Sequence, residues 1–167
     1  MTTKLHIGCG SIIKPGYVNI DEYNPKADRQ LSILNLDYPN GSVDLIEGYH
    51  VIEHLSRFDA ERFFAMAYRM LKDGGVLHLE CPDLEKVARI ILRFADDSEY
   101  LEYGPYGFRG LFGEPHEEMT VGDFHKWGYT PATMRHHLFQ AGFRHVEISD
   151  GYSHSSPLRD LCAIATK

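Results

Sequence analysis

Short apolar runs alternate along the chain with longer amphipathic segments, which is the pattern of a mostly parallel sheet covered by helices. Several runs are continuously apolar, as strands buried on both faces are. The pattern therefore predicts an α/β fold. The predicted strands are Lys4–Ile7, Tyr17–Ile20, a weak one near Gln30–Leu34, Val43–Gly48, Val76–Cys81, His145–Ser149 and Leu161–Thr166.

Three amphipathic segments have the apolar spacing of helices. The first is predicted to begin at Asp59, as its N-cap, and to end at Gly74. The second follows Asp83, which is expected to cap it. The third is predicted to run from a cap at Thr130 to a stop at Gly142.

Residues 98–129 interrupt this rhythm, because they are rich in glycine, proline and aromatic residues and lack clear periodicity. A segment of this length without periodic structure is uncommon in a compact domain and is usually functional or disordered. The many aromatic side chains argue against disorder. We therefore expect an ordered insertion, or lid, within a single domain that spans residues 1–167.

The overall composition narrows the class of protein. A formal net charge of −7 argues against non-specific nucleic-acid binding, because phosphate backbones attract basic surfaces. The three cysteines are far apart and form no Cys-x-x-Cys pair, which argues against a disulfide framework and a cysteine-based zinc site. We see no signal peptide and no apolar run near the roughly 20 residues of a membrane span. These features predict a cytoplasmic protein.

The most informative short stretch is Gly8-Cys9-Gly10, directly after the first predicted strand. Its glycines let the backbone turn sharply and approach a ligand without an intervening Cβ. Asp21 ends the second strand, where a carboxylate can accept hydrogen bonds from both ribose hydroxyls. Neighbouring parallel strands would bring the turn and the acid to one edge of the sheet. The alternative is an ordinary strand-exit turn with a helix-capping aspartate.

A nicotinamide dinucleotide site is the main competing interpretation of this turn. Its fingerprint is Gly-x-Gly-x-x-Gly at the start of a helix, with an acid about 20 residues further on. Here Ile13 stands at the position of the third glycine, and Asp21 comes too early. A nicotinamide-dependent oxidoreductase is therefore disfavoured.

Five stretches carry a resemblance to a known family: LHIGCGS, PGYVNID, DYPNGSVDLIEGYHVIEHL, LKDGGVLHLECPDL and HKWGYTPATMRHHLFQAGF. Together they resemble the class I S-adenosylmethionine-dependent methyltransferases, particularly the small bacterial type 11-like group. The resemblance implies a Rossmann-like, doubly wound, mostly parallel sheet with a final antiparallel strand and helices on both faces. It also implies S-adenosylmethionine as cofactor and direct in-line methyl transfer to a small-molecule or surface-presented acceptor.

The resemblance also assigns cofactor-binding residues. Gly8, Cys9 and Gly10 would face the methionine portion, and Asp21 the ribose. Glu22 or Tyr23 would flank one side of adenine, and Asn35, Leu36 and Asp37 would meet its other side. Tyr49 and His50 would lie beside the sulfonium. The chain departs from the family where His6 replaces a frequent acid, where the third glycine is absent, and where no aspartate cleanly ends the third strand.

Methyl transfer needs little catalytic machinery, because a sulfonium methyl is intrinsically electrophilic and the protein mainly aligns a nucleophile and excludes water. If the acceptor must lose a proton, histidine is the natural base near neutral pH. His54, His116 and His125 are the candidates by location. The alternative for His54 is that it orders its own loop together with Glu53.

The insertion invites two further interpretations. Its aromatic residues, among them Tyr106, Phe112 and Trp127, are candidates for the acceptor site, although they would equally serve to pack a lid. A metal site built from His116, Glu117, Asp123 and His125 has no recognised ligand spacing, so no metal is predicted.

Two expectations concern the whole protein. Because the chain opens directly on the first strand, a partner chain or a second copy is expected to supply the usual N-terminal cover, as in a homodimer. The irregular first motif also leaves open a non-catalytic, methyltransferase-like binding or scaffold protein.

Overall fold

The computed structural model describes residues 2–93, 107–113, 123–153 and 158–167. Seven strands form one sheet within these residues. They are β1 (Lys4–Ile7), β2 (Val18–Asp21), β3 (Arg29–Gln30), β4 (Val43–Tyr49), β5 (Leu71–Pro82), β6 (His145–Asp150) and β7 (Asp160–Thr166).

The strand order is β3-β2-β1-β4-β5-β7-β6. The pairs from β3 to β5 are parallel, whereas β7 is antiparallel to both of its neighbours. The mostly parallel sheet with a final antiparallel strand is therefore confirmed. The weak third strand is present but only two residues long, and β5 begins five residues before the predicted Val76.

Among the described residues, three helices have the bounds Arg57–Met70 (α1), Leu84–Arg93 (α2) and Pro131–Gln140 (α3). The caps of the last two are confirmed. Asp83 accepts a hydrogen bond from the Glu85 amide at the start of α2. Thr130 accepts one from Thr133 at the start of α3, and Gly142 follows its C-cap with a positive φ of 111°.

The predicted ends of the first helix were wrong. Ser56, not Asp59, is the N-cap of α1, and its side chain accepts a hydrogen bond from the Asp59 amide. The helix stops at Met70 because the fully buried Leu71 already pairs with Val43 in the sheet. Gly74 therefore lies inside β5, past the helix end.

One face of the sheet is apolar and forms the core. Leu5, Ile46 and Leu77 lie on this face and belong to one buried cluster with Phe63 of α1 and Met134 of α3. These two helices therefore pack on the same side of the sheet. Their burial supplies the main driving force for folding.

The opposite face, which we call the polar face, carries a row of polar side chains across four strands. Asn19 pairs with His6, His6 with Glu47, and Glu47 with His78, so that all four point to the same side. A second row on this face contains Glu80, which pairs with Cys162. All six side chains are buried.

Only part of the predicted insertion lies within the described residues. Residues 107–112 are helical and pack closely on α2, because a Cβ on Gly110 would lie 2.6 Å from the Val87 side chain. Tyr106 and His116 lie outside the described residues. Within the described part of the chain, no helix combines the length and apolar character that crossing a membrane requires.

Candidate active site

The turn after β1 depends on its glycines. Gly8 and Gly10 have positive φ angles of 57° and 49°, in the left-handed region that side chains disfavour. A Cβ on Gly8 would lie 2.5 Å from Val51, whereas nothing lies within 4 Å of one built on Gly10. The turn is therefore closely packed beneath Gly8 and open at Gly10.

Asp21 lies beside this turn, as expected for neighbouring parallel strands. The Gly10 amide donates a hydrogen bond of 2.8 Å to Asp21 Oδ2. The amides of Tyr23 and Asn24 donate to Oδ1, each at 2.8 Å. Because each carboxylate oxygen has two lone pairs, Oδ2 retains the capacity to accept a second hydrogen bond.

The turn forms one wall of a cleft of about 700 Å³ at the carboxyl ends of the parallel strands. The sequence-predicted residues that line it are Gly8, Cys9, Gly10, Tyr49, His50, His54 and His125. The cleft also contains Arg109, and it contains residues that the sequence did not indicate as site residues, including Lys14, Tyr152 and Arg159.

Glu53 organises the floor of this region. The residue is only 1% exposed, and its Oε1 lies 3.0 Å from His50 Nδ1 and 3.9 Å from His125 Nε2. Its carbonyl oxygen accepts hydrogen bonds from the amides of Lys126 and Trp127, at 2.8 and 3.2 Å. Glu53 thus fixes the segment that carries His125 against the end of β4.

His50 lies between two acids. Although burial opposes it, hydrogen bonding to Asp160 and Glu53 raises the pKa of His50 to about 9. The pKa values of both carboxyl groups are lowered, since the His50 charge outweighs the effect of their burial. His50 is also the only non-glycine residue with positive φ among those described, at 52°. Such strain is concentrated at functional sites.

The pKa of His125 is shifted in the direction opposite to that of His50. Burial lowers its pKa, so that the ring is neutral at pH 7. Its Nδ1 lies 3.1 Å from the Gly110 carbonyl oxygen. Because a carbonyl only accepts, we assign the proton to Nδ1, and Nε2 keeps its lone pair. The His54 ring lies against His125, with centroids 4.9 Å apart.

The structure does not gather the predicted adenine residues at the cleft. The Leu36 side chain is buried in the hydrophobic core. Asp37 forms an ion pair of 2.7 Å with Arg29. Glu22 is exposed, as is Asn35. The role of the remaining residues toward adenine stays a prediction.

The predicted acceptor residues are also separated. Trp127 lines a second cavity of about 570 Å³ together with Arg57, Glu61 and His137, outside the cleft of the glycine turn. Phe112 is 57% exposed and stacks on Phe108.

The metal ligands considered from the sequence are not brought together among the described residues. Two groups there have ligand atoms within 4.8 Å of one another: Glu53, His54 and His125, and a second group on the polar face. Asp123 belongs to neither group. His116 and Glu117 lie outside the described residues.

Asp160 is the site residue that topology could have revealed. Because β7 runs antiparallel, its first residue lies at the edge where the parallel strands end. The predicted strand began one residue later, at Leu161, and therefore did not include Asp160. Glu53 was recognised, but only as a residue that orders its loop.

Comparisons with known proteins agree with this geometry. Residues 13–79 match the family model described as a methyltransferase domain. Among curated proteins, none matches the chain. Solved structures share its fold at low sequence identity.

One similar structure is a SAM-dependent methyltransferase from Archaeoglobus fulgidus, with 16% identity, a TM-score of 0.64, and coverage of 99% of this chain and 86% of that one. A candidate S-adenosylmethionine-dependent methyltransferase from Listeria monocytogenes has 15% identity, a TM-score of 0.69, and coverage of 99% and 91%. A Thermotoga maritima protein described as a possible histamine N-methyltransferase has 17% identity, a TM-score of 0.61, and coverage of 100% and 83%. The match to the methyltransferase-domain model over residues 13–79 and the fold shared with these structures support the resemblance to the class I S-adenosylmethionine-dependent methyltransferases.

Proposed function

We propose that this protein transfers a methyl group from S-adenosylmethionine to a small-molecule or surface-presented acceptor. The observation that supports it most directly is the hydrogen bond from the Gly10 amide, in the wall of the cleft, to Asp21, which lies next to that wall. This contact holds a bare backbone turn and a carboxylate next to each other, as recognition of a ribose-bearing cofactor requires.

The residues at this wall fit the cofactor in shape and in hydrogen-bonding capacity. The space above Gly10 is empty where a side chain would otherwise stand. Asp21 Oδ2 can accept a hydroxyl in addition to the Gly10 amide. Gly8, Gly10 and Asp21 would therefore hold the cofactor, with Tyr49 and His50 further along the cleft. When bound, the cofactor supplies an electrophilic methyl group.

The chain's own residues would position the acceptor and remove its proton. We assign the general base to His125, because it is neutral at pH 7 and its Nε2 has a lone pair in the cleft region. His54, which packs on it, is the second candidate from the sequence and would support the orientation of His125. His50 is protonated and would act as a fixed positive charge.

Isothermal titration calorimetry with S-adenosylmethionine and its demethylated product tests cofactor binding. We expect both to bind the wild type, and Asp21→Ala to weaken binding at least tenfold, or about 1.4 kcal/mol. Asp21→Asn separates lost charge from lost turn geometry. Asp73→Ala is the matched control, since Asp73 is exposed and lies at the other end of β5. Equal binding by wild type and Asp21→Ala would refute the assignment.

Turnover is tested by measuring the demethylated product in a screen of acceptors, with His125→Gln in parallel. Loss of turnover with retained cofactor binding is the expected result for the variant. Binding without turnover of any acceptor would instead favour the non-catalytic scaffold.

The proposal extends to location and assembly. Cys9, Cys81 and Cys162 are free and buried, which suits the reducing cytoplasm. The homodimer stays a prediction, which light scattering of the purified chain tests.

A further inference from the structure

The polar face contains a group of three side chains with the chemistry of a metal site. His78 Nε2 lies 3.3 Å from Cys162 Sγ and 3.7 Å from Glu80 Oε1, and the three ligand atoms all lie within 4.8 Å of one another. Tetrahedral zinc, with bonds of about 2.0–2.3 Å, separates its ligand atoms by roughly 3.3–3.8 Å. We propose that His78, Glu80 and Cys162 bind a zinc ion.

Glu80 gives the first independent support. Its side chain is fully buried. Its Oε2 accepts hydrogen bonds from the amides of Tyr152 and Ser153, at 3.1 and 2.9 Å, and from the Ser153 hydroxyl at 2.6 Å. Its Oε1, by contrast, is buried without a hydrogen-bond partner among the described residues. An unsatisfied buried carboxylate oxygen is costly, and a cation beside it would remove that cost.

His78 gives the second independent support for the proposed zinc site. Its Nδ1 lies 3.5 Å from both the Tyr49 hydroxyl and Glu47 Oε1, which orients the ring so that Nε2 faces Glu80 and Cys162. Histidine ligands commonly have an oxygen acceptor at the ring nitrogen that does not bind the metal. The Glu47 carboxylate is itself held by Lys14, at 3.2 Å.

The ligand types select the metal. One thiolate, one imidazole and one carboxylate suit zinc better than magnesium or calcium, which prefer oxygen ligands. The Tyr152 hydroxyl, 3.3 Å from His78 Nε2, could hold a water molecule in the fourth position. The ion would join β5, β7 and residues 151–153 on the face opposite α1 and α3. This arrangement gives it a structural role that does not depend on the proposed methyl transfer.

Sequence spacing could not reveal this site. His78 and Glu80 are two residues apart on β5, which places them on one face of the sheet. Cys162 lies beside them only because of the pairing register between β5 and β7. The site needs a single cysteine, so the absence of a Cys-x-x-Cys pair does not bear on it.

Cobalt(II) is the most direct probe, because a cobalt–thiolate bond gives a charge-transfer band in the near ultraviolet. The protein, stripped with a chelator, is titrated with Co²⁺ and then with Zn²⁺. We expect one cobalt per chain with that band, and its displacement by zinc. Cys162→Ser should abolish the band, whereas Cys81→Ser, which changes another buried cysteine of the chain, should retain it.

Glu80→Gln provides a test that preserves shape. Its carbonyl oxygen can replace Oε2 toward Tyr152 and Ser153, while an amide nitrogen replaces the ligand atom Oε1. We expect it to weaken zinc binding roughly tenfold or more, with circular dichroism showing that each variant is folded. Cobalt binding without the thiolate band, as at Glu53, His54 and His125, would overturn the proposal. So would zinc affinity unchanged in Glu80→Gln, or no stoichiometric uptake by the wild type.

Discussion

Gly8 shows how strongly a single position can be constrained. Its φ of 57° lies in the left-handed region, and a Cβ there would approach Val51 to 2.5 Å. Gly10 shares the left-handed conformation but has open space around it. Backbone strain therefore acts at both glycines, whereas steric conflict acts only at Gly8.

Alanine substitutions separate these two effects. Gly10→Ala should lower the free energy of unfolding by about 1 kcal/mol through backbone strain. Gly8→Ala should cost roughly 1–3 kcal/mol more, because the new methyl group meets a packed side chain. Urea unfolding without ligand measures both variants. Equal losses would show that Val51 moves aside freely.

His50 makes stability depend on pH. Its pKa is raised from 6.5 to about 9 in the folded protein, so the folded state binds the proton more tightly than the unfolded state. The resulting stabilisation is complete below pH 6.5 and is lost as the pH rises toward 9. We expect the free energy of unfolding to fall by about 1–3 kcal/mol across that window.

His50→Gln is the control for this effect. Glutamine must adopt the same positive φ as His50 but has no titrating proton. The decline between pH 6.5 and 8.5 should therefore flatten in the variant. His125 does not interfere, because its lowered pKa affects stability only at more acidic pH. A variant that follows the wild-type curve would contradict the role of His50.

At the scale of elements, the start of α1 shows a difference between the N-cap that the sequence pattern predicts, Asp59, and the N-cap in the structure, Ser56. Ser56 accepts a hydrogen bond from the Asp59 amide, at 3.2 Å, and donates one to the Asp59 carboxylate, at 2.7 Å. Ser56→Ala should cost about 1 kcal/mol of stability, as the loss of a cap does. Asp59→Ala should cost less, since that side chain only supports the cap.

Thermal or urea unfolding of Ser56→Ala and Asp59→Ala measures which substitution lowers the free energy of unfolding more. The apolar spacing of the sequence favoured Asp59 as the cap, and that assignment implies the reverse order of losses. A larger loss for Asp59→Ala would therefore restore the sequence-based assignment.

Local patterns predicted the presence of elements well and their ends less well. All seven strands and the Thr130 cap follow from runs and caps that neighbours in sequence specify. Leu71 joined the sheet instead of the helix, and the Leu36 side chain packed into the core. Both outcomes depend on tertiary packing, which overrides local preference.

The candidate site shows the same division. The glycine turn and Asp21 were predictable, because the ends of neighbouring parallel strands meet at one edge. The arrangement of His50, Glu53 and Asp160 was not, since it joins residues about a hundred positions apart in the chain. Trp127 lines another cavity, although its amide donates a hydrogen bond to the Glu53 carbonyl.

At the scale of the whole molecule, strand order separates the two nucleotide-binding classes. Nicotinamide-binding sheets have the order 3-2-1-4-5-6 with parallel strands. Here an antiparallel β7 stands between β5 and β6, and the short connection between β1 and β2 contains no helix. The sheet therefore offers a glycine turn without the helix start that holds a pyrophosphate.

Because no helix follows β1, the two cofactors should change the melting temperature, Tm, of the protein differently. A ligand at a hundred times its dissociation constant stabilises the folded state by about 2.7 kcal/mol. For a domain of this size that corresponds to a rise in Tm of roughly 5–10 °C. We expect demethylated S-adenosylmethionine to produce this rise, and Asp21→Asn to reduce it. Reduced nicotinamide dinucleotide should leave Tm unchanged, because no helix N-terminus follows β1 to receive its pyrophosphate. A rise with the dinucleotide alone would reverse the choice between the two cofactors.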